Sequence, residues 1–136
     1  MTVLKRSFMC PAEVPLKLVC GKWKLLILWE LSHGTRRFSD LLKNIKGVSQ
    51  KVLTQSLRTM ESDGLIFRHV YAEIPPRVEY EVTPVAEDLA KILDIMGNWG
   101  MKYLNEKGHT QEWTHNARSP AKTAETAPSF PINANK

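Results

Sequence analysis

The feature that most constrains this chain is a change of period at Gly64. Before it, in GVSQKVLTQSLRTMESDG, the apolar residues Val48, Leu53, Leu57 and Met60 recur at helical spacing. After it, LIFRHVYAE alternates Ile66, Arg68 and Val70 against Leu65, Phe67, His69 and Tyr71, as the two faces of a strand do. IPPR breaks the alternation, because Pro75 and Pro76 cannot stand inside a strand. VEYEVT then resumes it, with Val78, Tyr80 and Val82 against Glu79 and Glu81. Helix, strand, proline-rich tip and strand describe a β-hairpin beside a helix.

Upstream, KWKLLILWELSHG places Trp23, Leu26, Ile27, Leu28, Trp29 and Leu31 on a helix from Lys22 to a stop at Gly34. It is apolar almost all round, which predicts a central core helix flanked on several sides. In TRRFSDLLKNIKG, Ser39 is a candidate N-cap, Leu41, Leu42 and Ile45 form a short apolar face, and Gly47 ends the helix. Ser49 caps the next helix, which runs to about Asp63. Two helices joined by a tight turn form a helix-turn-helix, and the hairpin is its wing. Thr83-Pro84 reads as N-cap and first residue of a last helix. That helix carries Val85, Leu89, Leu93, Met96, Trp99, Tyr103 and Leu104 as a stripe, which Ile92 and Ile95 widen beyond what one small domain needs. The expected fold is α+β, mainly α: a winged helix-turn-helix domain that pairs with a second copy through the helix from Thr83 to about Asn105.

The 136 residues suffice for one domain and a tail, and a 43% hydrophobic fraction suffices for a core. The boundary is expected at 108, because 109–136 is rich in Thr, Ala, Pro and Asn and reads as a flexible tail containing Trp113. No apolar run predicts a signal peptide, and none reaches the ~18 residues of a membrane span. With only Cys10 and Cys20, reduced thiols in a cytoplasm are expected. The four histidines lack metal-ligand spacing and no phosphate loop is present, so neither metal nor cofactor is expected.

The net charge of +5 is unevenly placed. Residues 1–77 hold 13 Lys+Arg against 6 Asp+Glu, whereas residues 78–108 hold 3 against 6. The excess lies in the half that contains the helix after Ser49. The polar side of that helix carries Gln50, Lys51, Thr54, Gln55 and Arg58 with no acid among them. Such amide and guanidinium groups suit base edges and phosphates, so the expected partner is duplex DNA read in the major groove. Arg77, at the stiff hairpin tip, is placed to reach the adjacent backbone or minor groove. Arg36 and Arg37, just before Ser39, either clamp a phosphate at that helix start or form a solvated basic turn. Trp23, Trp29 and Trp99 sit on apolar stripes and read as core or dimer aromatics. Two other classes compete. A thiol enzyme would use Cys10 next to Pro11, but no His–Asp relay stands at readable spacing. A winged-helix module that binds only protein would carry a less basic helix.

In order along the chain, CPAEV, GKWKLLILWEL, RRFSDLL, GVSQKVLTQSLRTMESDGLIFR, PPRVEYEVTP and the Trp of GNWG resemble the HxlR family of bacterial and archaeal transcription regulators, relatives of the MarR group. The resemblance covers about residues 10–105. It implies a homodimeric repressor or activator, with repression the expected mode, on a near-palindromic operator and with the terminal helices at the dimer seam. It puts the recognition helix on Ser49 to Glu61 and the wing on 65–83. In some members a cysteine just before the first helix senses electrophiles or oxidants, and that cysteine matches Cys10. Lys5, Arg6 and a helix start just downstream favour a reactive thiol there; an inert thiol packed near the seam is the other reading. An oxidised form would pair Cys10 with the partner's Cys10, the partner's Cys20 or a small thiol. Pro15 predicts that the first helix starts there or bends there. Cys20 is expected at a buried apolar position.

Overall fold

The segment that is apolar all round becomes the hub. A computed structural model describes residues 7–109, in the order α1 (Glu13–Leu18), α2 (Lys22–Ser32), β1 (Arg36–Arg37), α3 (Phe38–Asn44), α4 (Gln50–Ser62), β2 (Ile66–Tyr71), β3 (Arg77–Val82) and α5 (Pro84–Glu106). Lys5, Arg6 and the tail expected from 109, apart from His109 itself, lie outside the described residues. Helix α2 packs against α3, α4, α5 and β3, so Ile27, Leu28 and Leu31 are shut off from solvent. Trp23 and Leu26 pack half-buried on the same core. The architecture is a winged helix-turn-helix, mainly helical, with a small antiparallel sheet.

Helices α3 and α4 meet this hub through Leu41, Ile45, Leu53, Leu57 and Met60, all buried. Between them Gly47 takes φ +86°, a left-handed backbone that lets the chain reverse within a few residues. A second left-handed glycine, Gly64, ends α4. There the Leu65 N–H donates to the Met60 carbonyl (2.9 Å) and the Gly64 N–H to the Glu61 carbonyl (3.0 Å). This is the six-to-one and five-to-two pattern that closes a helix over an apolar pair.

The sheet runs β1-β3-β2, antiparallel throughout, with Ile66 opposite Val82, Arg68 opposite Tyr80 and Val70 opposite Val78. Ile66, Tyr80 and Val82 reach the core, while Val70 and everything nearer the tip is exposed or half-exposed. Strand β1 was not expected. Its two residues, opposite Tyr80 and Glu79, are too few to show a period.

Four local expectations are corrected. Ser39 is not a cap: Arg37 holds that position, two residues earlier, and Asp40 reaches back so that its Oδ2 accepts from the Arg37 N–H (3.1 Å). Helix α1 begins at Glu13, neither starting nor breaking at Pro15, because the first four N–H groups of a helix have no partner within it to lose. Cys20 is exposed; burial at this bend goes to Val19, and the chain then turns outward through Gly21 at φ +90°. Thr83 holds the cap position of α5 without capping it. Its hydroxyl donates instead to the carbonyls of Gly64 (2.7 Å) and Leu65 (3.2 Å).

Helix α5 has two stripes. Ala86, Leu89, Ala90 and half-buried Leu93 face the domain. Val85, Ile92, Ile95, Met96, Trp99 and Tyr103 face solvent, with Trp99 at 65% exposure and stacked on Tyr103 at 5.2 Å between ring centres. From 94 to 106 only Gly100 and Leu104 are even half-buried. The second half of the helix therefore projects past the core.

Candidate nucleic-acid interface

Side-chain direction on α4 is set at its start. The Val52 N–H donates to Ser49 Oγ at 3.2 Å, which fixes the first turn and satisfies one of its free N–H groups. With Leu53, Leu57 and Met60 turned inward, the 3.6-residue repeat turns Gln50, Lys51, Gln55 and Arg58 fully outward and leaves Thr54 half-exposed between them. These five and Thr59 line one shallow, open concave surface. The hydroxyls of Thr54 and Thr59 donate to the Gln50 carbonyl (2.8 Å) and the Gln55 carbonyl (3.0 Å). Their protons are thus used within the helix, and their methyls and lone pairs remain for a ligand. The first acid on α4 is Glu61, near its far end. Among the described residues neither Lys51 nor Arg58 enters an ion pair.

The other arginines singled out from the sequence are differently placed. Arg36 Nε lies 3.2 Å from Glu30 Oε1, and Asn44 Nδ2 donates to the same oxygen at 2.8 Å. Arg37 is exposed, 3.9 Å from Glu79 at the outer edge of the sheet. Arg77 is not at the tip but opens β3, opposite Tyr71. Its guanidinium stacks 4.2 Å over the Tyr71 ring and pairs with Glu73 (3.3 Å) and Glu79 (3.4 Å). The tip itself is Ala72 to Pro76, with Ile74 fully exposed.

Sequence reasoning passed over two residues. Arg68 is exposed on β2 and free of ion pairs among the described residues; its signal was its place between Ile66 and Val70 in the alternation. Glu30 is buried in the last turn of α2, and its signal was an acid inside the otherwise apolar run from Leu25 to Leu31.

Cys10 is exposed, and the charged group its backbone meets is an anion. Glu13 Oε2 accepts from the N–H of Cys10 (3.0 Å) and of Met9 (2.7 Å), and these two bonds hold the Glu13 carboxyl below its ordinary value. No described helix is long and apolar enough to cross a membrane, and no described group of three His, Cys, Asp or Glu could hold a metal ion.

Comparison with known proteins agrees with this geometry. YtcD, an HTH-type transcriptional regulator of Bacillus subtilis, is 42% identical over 101 residues, which is 74% of this chain and 80% of YtcD. A crystal structure of a MarR-family transcriptional regulator from Enterococcus faecalis superposes with a TM-score of 0.68 at 37% identity, over 77% of this chain and 96% of that one. The redox regulator HypR in its reduced form gives a TM-score of 0.68 at 32% identity, over 73% and 98%; its oxidized form has also been solved. These relatives lend no support to a module that binds only protein. The profile of the HxlR-like helix-turn-helix family matches residues 18–108, and the chain belongs to that family.

Proposed function

We propose that this helix-turn-helix transcriptional regulator works as a cytoplasmic homodimer that inserts α4 of each copy into the major groove of a near-palindromic operator. The observation that carries the reading is the outer surface of α4: Gln50, Lys51, Thr54, Gln55 and Arg58 side by side with no acid among them. Lys51 and Arg58 would meet phosphates and the two glutamines base edges. Ser49, by capping the helix, sets the angle at which they arrive. Arg37 and Arg68 are the exposed cations of the sheet that stand ready for backbone contact, while Arg36 and Arg77 act through the pairs they make inside the fold. Ser39, exposed on the first turn of α3, offers its hydroxyl to the same backbone. Pairing through α5 follows from its solvent stripe, because a monomer rarely leaves so large an apolar patch uncovered. Two α4 helices about one turn of duplex apart, ~34 Å, would then read one face of the DNA.

A thiol effector is the accompanying reading. Cys10 lies exposed ahead of α1, and HypR is a redox regulator of the same fold. Exposure of Cys20 supplies a second thiol for pairing between copies. Joining two thiols releases two protons and two electrons, which diamide takes up. A duplex mobility shift with wild type, Cys10→Ser and Cys20→Ser, with and without diamide, tests both layers. Salt-sensitive, sequence-selective binding is expected, released by diamide in wild type and retained in Cys10→Ser. Wild type that never prefers one duplex would overturn the DNA reading; Cys10→Ser that still releases would remove Cys10 from it.

A further inference from the structure

We propose that Glu30 is a positioning residue for duplex binding, holding the wing at a fixed distance and angle from α4. Its side chain is 11% exposed, and one oxygen, Oε1, accepts from Arg36 Nε at 3.2 Å and from Asn44 Nδ2 at 2.8 Å. The three residues stand on three elements. Arg36 is in β1, whose neighbour in the sheet is the wing strand β3. Asn44 is the last residue of α3, just before the turn that launches α4. Glu30 is on α2, the helix against which α3, α4 and β3 all pack. One carboxylate oxygen therefore ties the wing and the helix-turn-helix to a common support.

Charge makes the tie demanding. A carboxylate largely withdrawn from water is stable only while its donors stay in place, so a slide of β1 or α3 along α2 would strand it. Neither element can hold itself as firmly: β1 has two residues and α3 seven. The inference rests on the proposal that wing and α4 meet the same duplex.

The test measures position first and binding second. Spin labels on Ile74→Cys at the wing tip and Glu61→Cys at the far end of α4, in a Cys10→Ser, Cys20→Ser background diluted with unlabelled protein, report the distance by electron–electron resonance. A single narrow distance is expected for the otherwise unchanged chain. A broad or second distance is expected with Glu30→Gln, which keeps shape and one acceptor oxygen but loses the charge, and with Asn44→Ala. Binding to a duplex selected from a random pool by the wild-type protein should then show a salt slope lower by about one unit for each phosphate the wing gives up. A narrow distance in folded Glu30→Gln overturns the proposal; if that variant does not fold, Asn44→Ala decides by the same criterion. A broad distance with an unchanged slope also overturns it, provided Arg58→Ala lowers the slope. If Arg58→Ala leaves the slope unchanged as well, the failure lies with the proposed use of α4.

Discussion

Helices α4 and α5 make the same kind of object from opposite chemistry. Each lays one apolar stripe on the core: Leu53, Leu57 and Met60 for α4, and Ala86, Leu89 and Ala90 for α5. Each also leaves a second face in solvent. On α4 that face is amide, hydroxyl, ammonium and guanidinium; on α5 it is Val85, Ile92, Ile95, Met96, Trp99 and Tyr103. Shape alone would assign both faces the same role. Desolvation separates them: covering the α5 face releases water from apolar surface, which only another apolar face rewards, whereas the α4 face keeps its hydrogen bonds only against a polar, anionic partner.

The sharpest way to break this contrast is to put charge on α5. Trp99→Asp combined with Ile95→Asp should dissociate the dimer, because each loses about 1.5–3 kcal/mol of burial and every loss counts twice across a two-fold seam. Sedimentation should show a folded monomer, and operator affinity should fall by roughly 10²–10⁴-fold as the two half-sites uncouple. A persisting dimer would mean that the seam lies elsewhere.

Next in size are changes on α4. Arg58→Ala and Lys51→Ala should each flatten the slope of log affinity against log salt by about one unit, with the dimer intact. Gln50→Ala and Gln55→Ala should leave that slope alone and relax base preference by about 1–3 kcal/mol at one position each. Selection from a random pool by each variant would show it. The wing refines the contrast further. Arg68→Ala is expected to change the salt slope, while Arg77→Ala, whose charge is already answered by Glu73 and Glu79, should change it less. A partly exposed surface pair network of that kind contributes about 1 kcal/mol, so melting of Arg77→Ala should move by several degrees at most.

The smallest effect concerns α1. The carboxyl of Glu13 is held below its ordinary value of 4.5 by the N–H groups of Cys10 and Met9, so its contribution is present above pH 4.5 and is lost as pH falls through the lowered folded value. Protection of the Met9 and Cys10 amides, taken relative to their intrinsic exchange rate at each pH, should therefore fall on acidification below that point in wild type, and should be already low and indifferent to that step in Glu13→Gln.

Much of this contrast was legible before any coordinates. The 3.6 period survives in the sequence because burial is enforced turn after turn along one face, as in α4 and the first half of α5, and the period of 2 survives where buried Tyr80 and Val82 flank exposed Glu81 in β3. What stayed hidden was decided over shorter spans or by side chains far apart in the chain. Strand β1 is two residues long. The cap of α3 depended on Asp40 reaching back, which Ser39 imitated. Glu30 finds Asn44 fourteen positions on, and no local pattern announces such a bond. Arg77 looked free because Glu73 and Glu79 flank it in sequence without revealing that both turn toward it. Cys20 follows two apolar residues, but the chain leaves the core one residue sooner than that run suggests.

One small knot has a consequence for how such a molecule tolerates change. The Thr83 hydroxyl and N–H fasten the start of α5 to the carbonyls of Gly64 and Leu65, where α4 ends. The hairpin between is thus a loop whose two feet are pinned together, and nothing at its far end bears on the feet. Residues added or removed between Ala72 and Pro76 should lengthen or shorten the wing while leaving the separation of the two α4 helices untouched. A single residue inserted between Gly64 and Ile66 should instead flip the strand and unfasten the knot. In the proposed dimer on duplex DNA, wing reach and half-site spacing would therefore be separately adjustable, and editing the wing alone should suffice to match an operator with altered flanks.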